Sequence, residues 1–383
     1  MKKAKPVVSH CHYYETIPHN EQVEKILRSV GFEVSKTPDF IVACGGDGTF
    51  AKIAGKEDLP ILFVRDRISV GALAEISIDK LPYFLEKIKK GEFFIQKFMR
   101  LEANSVTAFS DIYFTHTTGA ESIQYRITSK NFEVIMTSTA VVFSTPQGSS
   151  GYSKSAGAPV IKKRRILVTH VCPYEKIKYK GKVLKAPDER WHIFKPEKKI
   201  RFELLWPEKA NMHADGEFIR TVEKGEVITI KKSRKDAEII RFEKEREYVD
   251  VVDAVVIDSD KILLVKRGIK PFKGKLALPG GHVEKGEDEE DAIRREVEEE
   301  TGITIKNPVE FAHFYGEKRD PRYPTYSVVF SATPENLDVK PGSDAKEALW
   351  FPIRKLYAEK LAFDHWKIIN EFFKWKGKTI GDV

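Results

Sequence analysis

The sequence predicts a multidomain chain of mixed α/β and α+β class: an α/β part, an all-β part, then a second α/β unit. Three observations predict this. Up to about residue 95, apolar runs of strand length alternate with helical patterns. From about residue 96, short β-branched and aromatic runs follow one another, separated by Gly or polar breaks. Beyond a charged stretch at residues 231–249, a hairpin and an acidic helix begin a new pattern. At 383 residues, the chain has the length expected of two or three domains.

Each element has a local reason. Val23, Ile26, Leu27 and Val30 recur at helical spacing, and Gly31 stops that helix. Residues 40–44 form an apolar strand that runs into a glycine turn, with a helix expected over 50–56. A buried strand follows at 60–64 and a helix at 81–90. Strands are expected at 105–107, 112–115, 124–128 and 133–142, in an all-β part continuing to about residue 230. In residues 231–249 acids alternate with bases, which reads as a charged strand and a solvated connector rather than a nucleic-acid tail. The domains are therefore placed at 1–244 (α/β to about 95, all-β over about 96–230) and 245–383, the second opening with a hairpin of strands 251–257 and 261–266.

Composition excludes several classes. Lys and Arg number 65 against 57 Asp and Glu, a net charge of +8, with the signs interspersed. This suits small anionic ligands and gives no reason to expect nucleic acid. Cys11, Cys44 and Cys172 have no paired spacing, so neither a disulfide framework nor a four-cysteine zinc site is expected. The first residues lack the apolar stretch of a signal peptide, and no run approaches transmembrane length. The expectation is a soluble, cytoplasmic homo-oligomer acting on small molecules, away from membranes. His10 and His12 would share one strand face, but no third ligand stands at useful spacing, so no metal is expected there. The five tryptophans are scattered and read as core or interface residues.

Two glycine-rich loops carry the chemistry of the first half. Gly45-Gly46-Asp47-Gly48-Thr49 joins a strand to a helix, where glycines let the backbone approach a phosphate and amides at the helix start favour anions. A carboxylate in such a turn is awkward unless it accepts a hydroxyl proton, holds Mg²⁺ or caps the helix. The second loop, TPQGSSGYSKSAGAP from Thr145, is dense in hydroxyls and low in bulk, which suits a ribose phosphate or a base. Together the loops resemble the NAD kinase family, whose GGDGT turn is followed by a loop of the type TPTGSTAYSLSAGGP; Gln147 replaces a Thr. Residues 166–173 and Asp215-Gly216 look like later segments of that family.

The resemblance covers roughly residues 1–244. It implies a Rossmann-like part carrying Asp47 and a β-sandwich carrying the second loop. It implies Asp47 as the base that takes the ribose hydroxyl proton, with ATP or another phosphoryl donor and Mg²⁺. Gly45, Gly46, Gly48, Thr49, Asp111, Thr145, Gly148, Ser149, Tyr152 and Ser153 are then the substrate- and phosphate-binding residues. Ser110-Asp111 stands where the family has Asn followed by an acid, and Phe63-Val64-Arg65 where it often has Gly-Val-Asn.

Residues 281–303 hold the second constellation. Gly281, Glu287, Arg295-Glu296-Val297, Glu299-Glu300 and Gly302-Ile303 match the Nudix box at every fixed position. On a helix, Glu296, Glu299 and Glu300 share one face, and their mutual repulsion calls for a hard divalent ion. Ala292, Ile293 and Val297 give the opposite face something to bury, and Arg295 can pair with Glu287. The resemblance implies an α/β/α Nudix fold over about 249–383, with Glu296, Glu299 and Glu300 as catalytic ligands of Mg²⁺ or Mn²⁺ and Gly281, Glu287, Arg295 and Gly302 as structural residues. Lys266-Arg267, the run 318–322 and 361–365 look like the ADP-ribose pyrophosphatase branch, with Arg319 and Arg322 as candidate phosphate clamps and Asp344 and Glu347 as further acids.

The expected function is bifunctional: phosphoryl transfer to the ribose hydroxyl of NAD or a related nucleoside or nucleotide, and hydrolysis of ADP-ribose or a similar nucleoside diphosphate derivative. Phe63, Arg65 and Ser110 leave a second reading open, in which only the hydrolase is active and the first half is a nucleotide-binding regulatory module.

Overall fold

The computed structural model describes residues 6–7, 19–33, 39–65, 73, 76–119, 121–242, 248–316, 319–340 and 345–382. The His10-Cys11-His12 run, Lys318 and Asp344 lie outside them. The chain is mixed α/β, rich in sheet, and forms two compact units. The first comprises Met1–Ala156, Lys163–Leu184 and Lys195–Glu245; the second comprises Gly157–Lys162, Lys185–Phe194 and Arg246–Val383. Two short segments ahead of residue 245 thus fold with the second unit. Their anchors explain why: the Trp191 indole donates to the Phe311 carbonyl at 2.7 Å, and the Lys162 amide donates to the Tyr326 hydroxyl at 3.2 Å.

In the first unit, one sheet runs in the order Pro6–Val7, Phe40–Gly45, Ile61–Arg65, Ala237–Arg241, Phe94–Phe98. Its pairs are parallel except the last, which is antiparallel. The two central strands are apolar at nearly every position because both faces are covered. Val42, Cys44, Leu62 and Val64 pack with Val23 and Leu27 of helix His19–Ser29 and with Leu81, Leu85 and Ile88 of helix Leu81–Lys90. Ile41, Ala43, Ile61 and Phe63 pack with Phe50, Ala51 and Ala54 of helix Asp47–Lys56. The charged stretch expected to be partly a connector supplies Ala237–Arg241, which returns the chain to this sheet.

Two larger antiparallel sheets also belong to the unit, besides a short pairing of Lys176–Tyr179 with Lys182–Lys185. One contains Phe132–Ser138, Ile123–Ser129, Ile200–Trp206, Val227–Lys232, Leu101–Ala103 and Val106–Ala108. The other contains Ile166–Val171, Ala140–Ser144, Asp111–His116, Lys209–Ala214 and Glu217–Glu223. Phe114 stacks on Phe202 at 3.9 Å, and the Tyr125 hydroxyl hydrogen-bonds His170 Nδ1 at 2.8 Å, so the sheets share buried side chains. The single run expected at 133–142 breaks at Thr139, whose amide donates to the Val171 carbonyl, and its halves join different sheets.

The second unit is built on one sheet in the order Leu276–Ala277, Lys261–Arg267, Val249–Asp258, Thr325–Pro334, Ile305–Gly316, with Gly280–His282 and Ala345–Pro352 paired to its inner strands. Helix Glu289–Thr301 buries Ala292, Ile293 and Val297 against Val252, Val328 and Phe330. Helix His365–Trp375 packs through Phe372 and Trp375 on Phe311. No helix among the described residues is long and apolar enough to cross a membrane.

Candidate active sites

In the first unit the helix starts at Asp47, three residues before the expected start, with Gly46 as its N-cap and the Phe50 amide closing the first turn onto the Gly46 carbonyl. Gly48 is exposed and Thr49 half-buried in that first turn, where helical amides look out along the axis. The Leu73 amide reaches Asp47 Oδ1 at 3.4 Å. Phe63 stacks on Phe50 at 4.2 Å and is buried. Its bulk therefore fills the core beneath the turn.

The second loop divides into a buried frame and an exposed rim. Thr145 donates through Oγ1 to the Phe109 carbonyl at 2.7 Å, and its amide donates to the Ser110 carbonyl at 2.9 Å. The Gln147 amide group donates to the Met99 and Phe109 carbonyls at 2.6 and 2.7 Å. At Gly148 an added Cβ would lie 2.0 Å from the Ser110 carbonyl oxygen, so only glycine allows the two backbones to meet. Ser149 is buried and donates to the Pro146 carbonyl; Ser153 is buried among Ser144 and Thr169, at 2.8 and 3.0 Å. Thr145, Ser149 and Ser153 thus hold the loop's shape, whereas Tyr152 stands exposed with its ring edge on Tyr113 at 5.4 Å.

Sequence reasoning left Asp215 out of the site. It occupies the hairpin turn after Lys209–Ala214, and its carboxylate accepts the amides of Phe109, Ser110 and Asp111 at 2.8, 2.6 and 3.3 Å. Its signal was the Asp-Gly turn; its partners lie more than a hundred residues earlier. Burial pushes Asp111 up to about 7, aided by the charge of Asp215, and burial pushes Asp215 up to about 6. Three amide donors oppose the rise at Asp215, whereas the charge of Asp215 adds to the rise at Asp111.

In the second unit a cavity of about 360 Å³ is lined by Glu296, Glu299, Glu300, Asp253, Arg267 and His365 among others. Helix Glu289–Thr301 is capped by Asp288, which accepts the Glu290 amide, and ends at Gly302. Arg295 grips Glu287 with two hydrogen bonds of 2.8 and 2.9 Å and also reaches Glu296 at 2.8 Å, Glu299 at 3.2 Å and the His282 carbonyl at 3.0 Å. Glu300 accepts the Gly280 amide at 3.1 Å. At Gly281 a Cβ would lie 2.4 Å from the Glu296 carboxylate, so the glycine makes room for that group. Burial pushes Glu296 up, with Arg295 opposing and the charge of Glu299 adding, and burial pushes Glu300 up to about 8, with the charges of Glu296 and Asp253 adding.

The three glutamates face one cavity, as the spacing predicts. Among the described residues, however, no three metal-ligating side chains surround a common point. Arg295 draws Glu296 and Glu299 one way, and the Gly280 amide draws Glu300 another. Beneath them Asp253 accepts the Ser327 hydroxyl at 2.5 Å and stands 3.5 Å from His365 Nε2, while His365 Nδ1 accepts the Leu278 amide at 2.8 Å.

Arg319 and Arg322 both line this cavity, and each already has a carboxylate partner. Arg319 is half-buried and donates through Nε and Nη2 to Asp364 at 2.8 and 2.9 Å, with Asp253 at 3.4 Å. Arg322 is partly exposed and holds Asp320 at 2.6 Å. Glu347 pairs with Lys266 at 3.3 Å.

Comparison with known proteins assigns the families. The family model "NUDIX domain" matches residues 247–372, and "ATP-NAD kinase C-terminal domain" matches residues 104–242. An ADP-ribose pyrophosphatase of Methanocaldococcus jannaschii is 46% identical over 125 residues, covering 33% of this chain and 73% of that protein. An NAD kinase of Caldanaerobacter subterraneus subsp. tengcongensis is 32% identical over 238 residues, covering 57% of this chain and 79% of that protein. A crystal structure of an NAD kinase from Archaeoglobus fulgidus in complex with ATP aligns at 26% identity and a TM-score of 0.48, over 60% of this chain and 92% of that one. The chain thus belongs to two families at once, the NAD kinases through its N-terminal part and the Nudix proteins of the ADP-ribose pyrophosphatase kind through its C-terminal part.

Proposed function

We propose that the chain is a bifunctional enzyme of nucleotide metabolism. Its first unit transfers a phosphoryl group from ATP or another donor to a ribose hydroxyl of NAD or a related nucleotide. Its second unit hydrolyses ADP-ribose or a similar nucleoside diphosphate derivative. One observation carries the reading: each family's carboxylates are present on the elements that can use them, Asp47 at the head of a helix and Glu296, Glu299 and Glu300 on a helix face lining a cavity. The finer architecture belongs to the same proposal. The parallel strands covered on both faces support a Rossmann-like part, the two antiparallel sheets with shared side chains a β-sandwich, and the second unit an α/β/α Nudix domain.

In the first unit the ribose hydroxyl oxygen bonds to the terminal phosphorus as the bond to the leaving diphosphate breaks, and Asp47 accepts the hydroxyl proton. The amides of the glycine turn orient the donor's phosphates. The frame built by Thr145, Gln147 and Gly148 on Ser110 holds the rim residue Tyr152 and the acid Asp111 beside the acceptor. Phe63 gives no support to an inert first unit, since it belongs to the core.

In the second unit the donor set fits a divalent cation: all-oxygen ligands, with two of the carboxyls raised by burial and facing a cavity that Gly281 keeps open. Glu296 and Glu300, with Glu299, would hold Mg²⁺ or Mn²⁺, which supplies charge neutralisation at the diphosphate. Arg295 keeps Glu287, Glu296 and Glu299 in register with the preceding loop, and the Gly280 amide fixes Glu300.

The test is a product assay of the full chain with Mg²⁺, offering NAD plus ATP in one arm and ADP-ribose in the other. NADP in the first and AMP in the second are expected. Absence of either product from the wild-type chain removes the corresponding half of the proposal.

A further inference from the structure

Behind the glutamates of the second unit lies a set of polar side chains to which the proposed chemistry gives no part. His365 is buried at the first position of helix His365–Trp375. Its Nδ1 accepts the Leu278 amide at 2.8 Å, so that nitrogen carries no proton and the ring proton sits on Nε2. Nε2 stands 3.5 Å from Asp253 Oδ1. Asp253 is itself buried, accepts the Ser327 hydroxyl at 2.5 Å and stands 3.4 Å from Arg319 Nη2. Arg319 returns to Asp364, the residue before His365, at 2.8 Å. The ring thus faces a partner at each nitrogen in one tautomer, and burial keeps it neutral by pushing its pKa down.

A neutral imidazole that accepts a backbone amide fixes a chain path, and this path reaches Glu300 within two residues. Leu278 is followed by Pro279, whose carbonyl accepts the Ala254 amide at 2.9 Å, and by Gly280, whose amide donates to Glu300 Oε2 at 3.1 Å. An added Cβ at Gly280 would lie 2.1 Å from the Val252 carbonyl oxygen and 2.9 Å from Asp253 Cα, so the segment is pressed against the strand that carries Asp253. Gly280 also pairs with Asp253 in the sheet. Asp253 therefore meets the segment through its backbone and His365 through its carboxylate. Leu278 is buried, so losing the imidazole would leave its amide short of a hydrogen bond and press the segment to shift.

We propose that His365 is the positioning residue for Glu300: its Nδ1 anchors the segment Leu278–Gly280, whose last amide fixes that carboxylate in the cavity. The inference rests on the reading of the second unit as a cation-dependent hydrolase. It gives the start of helix His365–Trp375 a part in the reaction that is exerted through the backbone.

The test uses the full chain and exchanges the two ends of the ring. His365→Asn keeps an acceptor oxygen at the distance of Nδ1 from the backbone, whereas His365→Gln places its amide group at the distance of Nε2 and leaves the Leu278 amide unmet. Two readouts are taken below each variant's thermal midpoint: ADP-ribose hydrolysis with Mg²⁺, and binding of Mn²⁺ alone followed by the paramagnetic resonance of the free ion. His365→Gln is expected to lower kcat and to weaken Mn²⁺ binding, each about tenfold or more, with KM for ADP-ribose within about threefold. His365→Asn is expected to stay within about threefold of wild type in both readouts. In a Glu300→Gln background, adding His365→Gln is expected to cost no further Mn²⁺ affinity, because it acts through the carboxylate already removed. Wild-type kcat and Mn²⁺ affinity in His365→Gln overturn the proposal, as does a full additional loss in the Glu300→Gln background. Where His365→Gln does not fold, His365→Asn decides: Mn²⁺ affinity near that of the wild type supports the anchor, and a loss of about tenfold overturns it. If Mn²⁺ binding follows the expected pattern but the wild type leaves ADP-ribose intact, the hydrolase reading fails and the positioning of Glu300 stands.

Discussion

Around Asp215 the first unit gathers backbone amides, whereas around Glu296 the second gathers an arginine side chain. Both arrangements bring carboxylates out of water, and both must offset the cost. Amides are fixed by the chain path, so Asp215 is part of the frame that shapes the loop 109–111 whatever is bound. The Arg295 guanidinium is a movable side chain that serves Glu287, Glu296 and Glu299 at once. On the proposed reading, a divalent cation held there would take over the charge of Glu296 and Glu299, while Arg295 would keep its two bonds to Glu287. The difference separates an acid held by the chain path from acids held by another side chain.

The largest effects should come from removing one carboxylate on each side. Glu300→Gln is expected to lower ADP-ribose hydrolysis about 10³-fold, within the span typical of a lost catalytic carboxylate, and to leave NADP formation unchanged. Asp47→Asn should do the reverse, lowering NADP formation by roughly 10²- to 10⁴-fold with hydrolysis intact. Steady-state rates of both reactions on each variant decide the matter. A variant that loses both activities together would show that the two sites do not act independently, and Asp47→Asn with normal NADP formation would remove Asp47 from catalysis.

A smaller effect probes the room made for Glu296. Gly281→Ala puts a methyl group 2.4 Å from that carboxylate, so the glutamate must move. Hydrolysis is expected to fall by about 10²-fold, the scale of a misplaced catalytic group, with the thermal midpoint shifted by only a few degrees. Activity like that of the wild type would mean that Glu296 tolerates displacement and is not a fixed ligand.

How much of this was legible in the sequence follows from the range of each interaction. The positions from Gly281 to Gly302 could be read because their reasons are local: helical spacing for the glutamates, reach within two turns for Arg295, a cap for the helix end. The turn Gly45–Thr49 could be read as the entry to a helix for the same reason, whereas Gly148 answers to the Ser110 backbone far along the chain. What the sequence did not disclose are partners set by tertiary contact. Asp215 meets the amides of residues 109–111, and Arg319 meets Asp364 forty-five residues later, a pairing invisible in the local pattern. The stacking of Phe63 on Phe50 likewise depends on how the strand and helix pack. The segments Gly157–Lys162 and Lys185–Phe194 read as parts of the first half, since a pattern along the chain cannot show that the Trp191 indole finds the Phe311 carbonyl.

The smallest effect tests which member of the first unit's acid pair carries the proton. Asp111 is raised from the usual 3.8 to about 7, first by burial and then by Asp215. An acid raised by folding holds more protons folded than unfolded, so its contribution to stability is full below pH 3.8 and is lost as the pH climbs through about 7. Activity should run the other way if the carboxylate form accepts a hydrogen bond from the acceptor's ribose. In that case kcat/KM for NAD rises between pH 6 and 8 by up to about tenfold, the limit set by one proton near pH 7. Asp111→Asn is neutral throughout, so it should flatten both profiles: unfolding midpoints that no longer fall as the pH rises through 7, and a kcat/KM that stays at its low-pH level. Asp215→Asn should instead release the three amides and lower the midpoint at every pH. If Asp111→Asn leaves the pH slope of stability as steep as in the wild type, the titrating proton belongs to another group, and the contrast between the amide-held acid and its protonated neighbour fails.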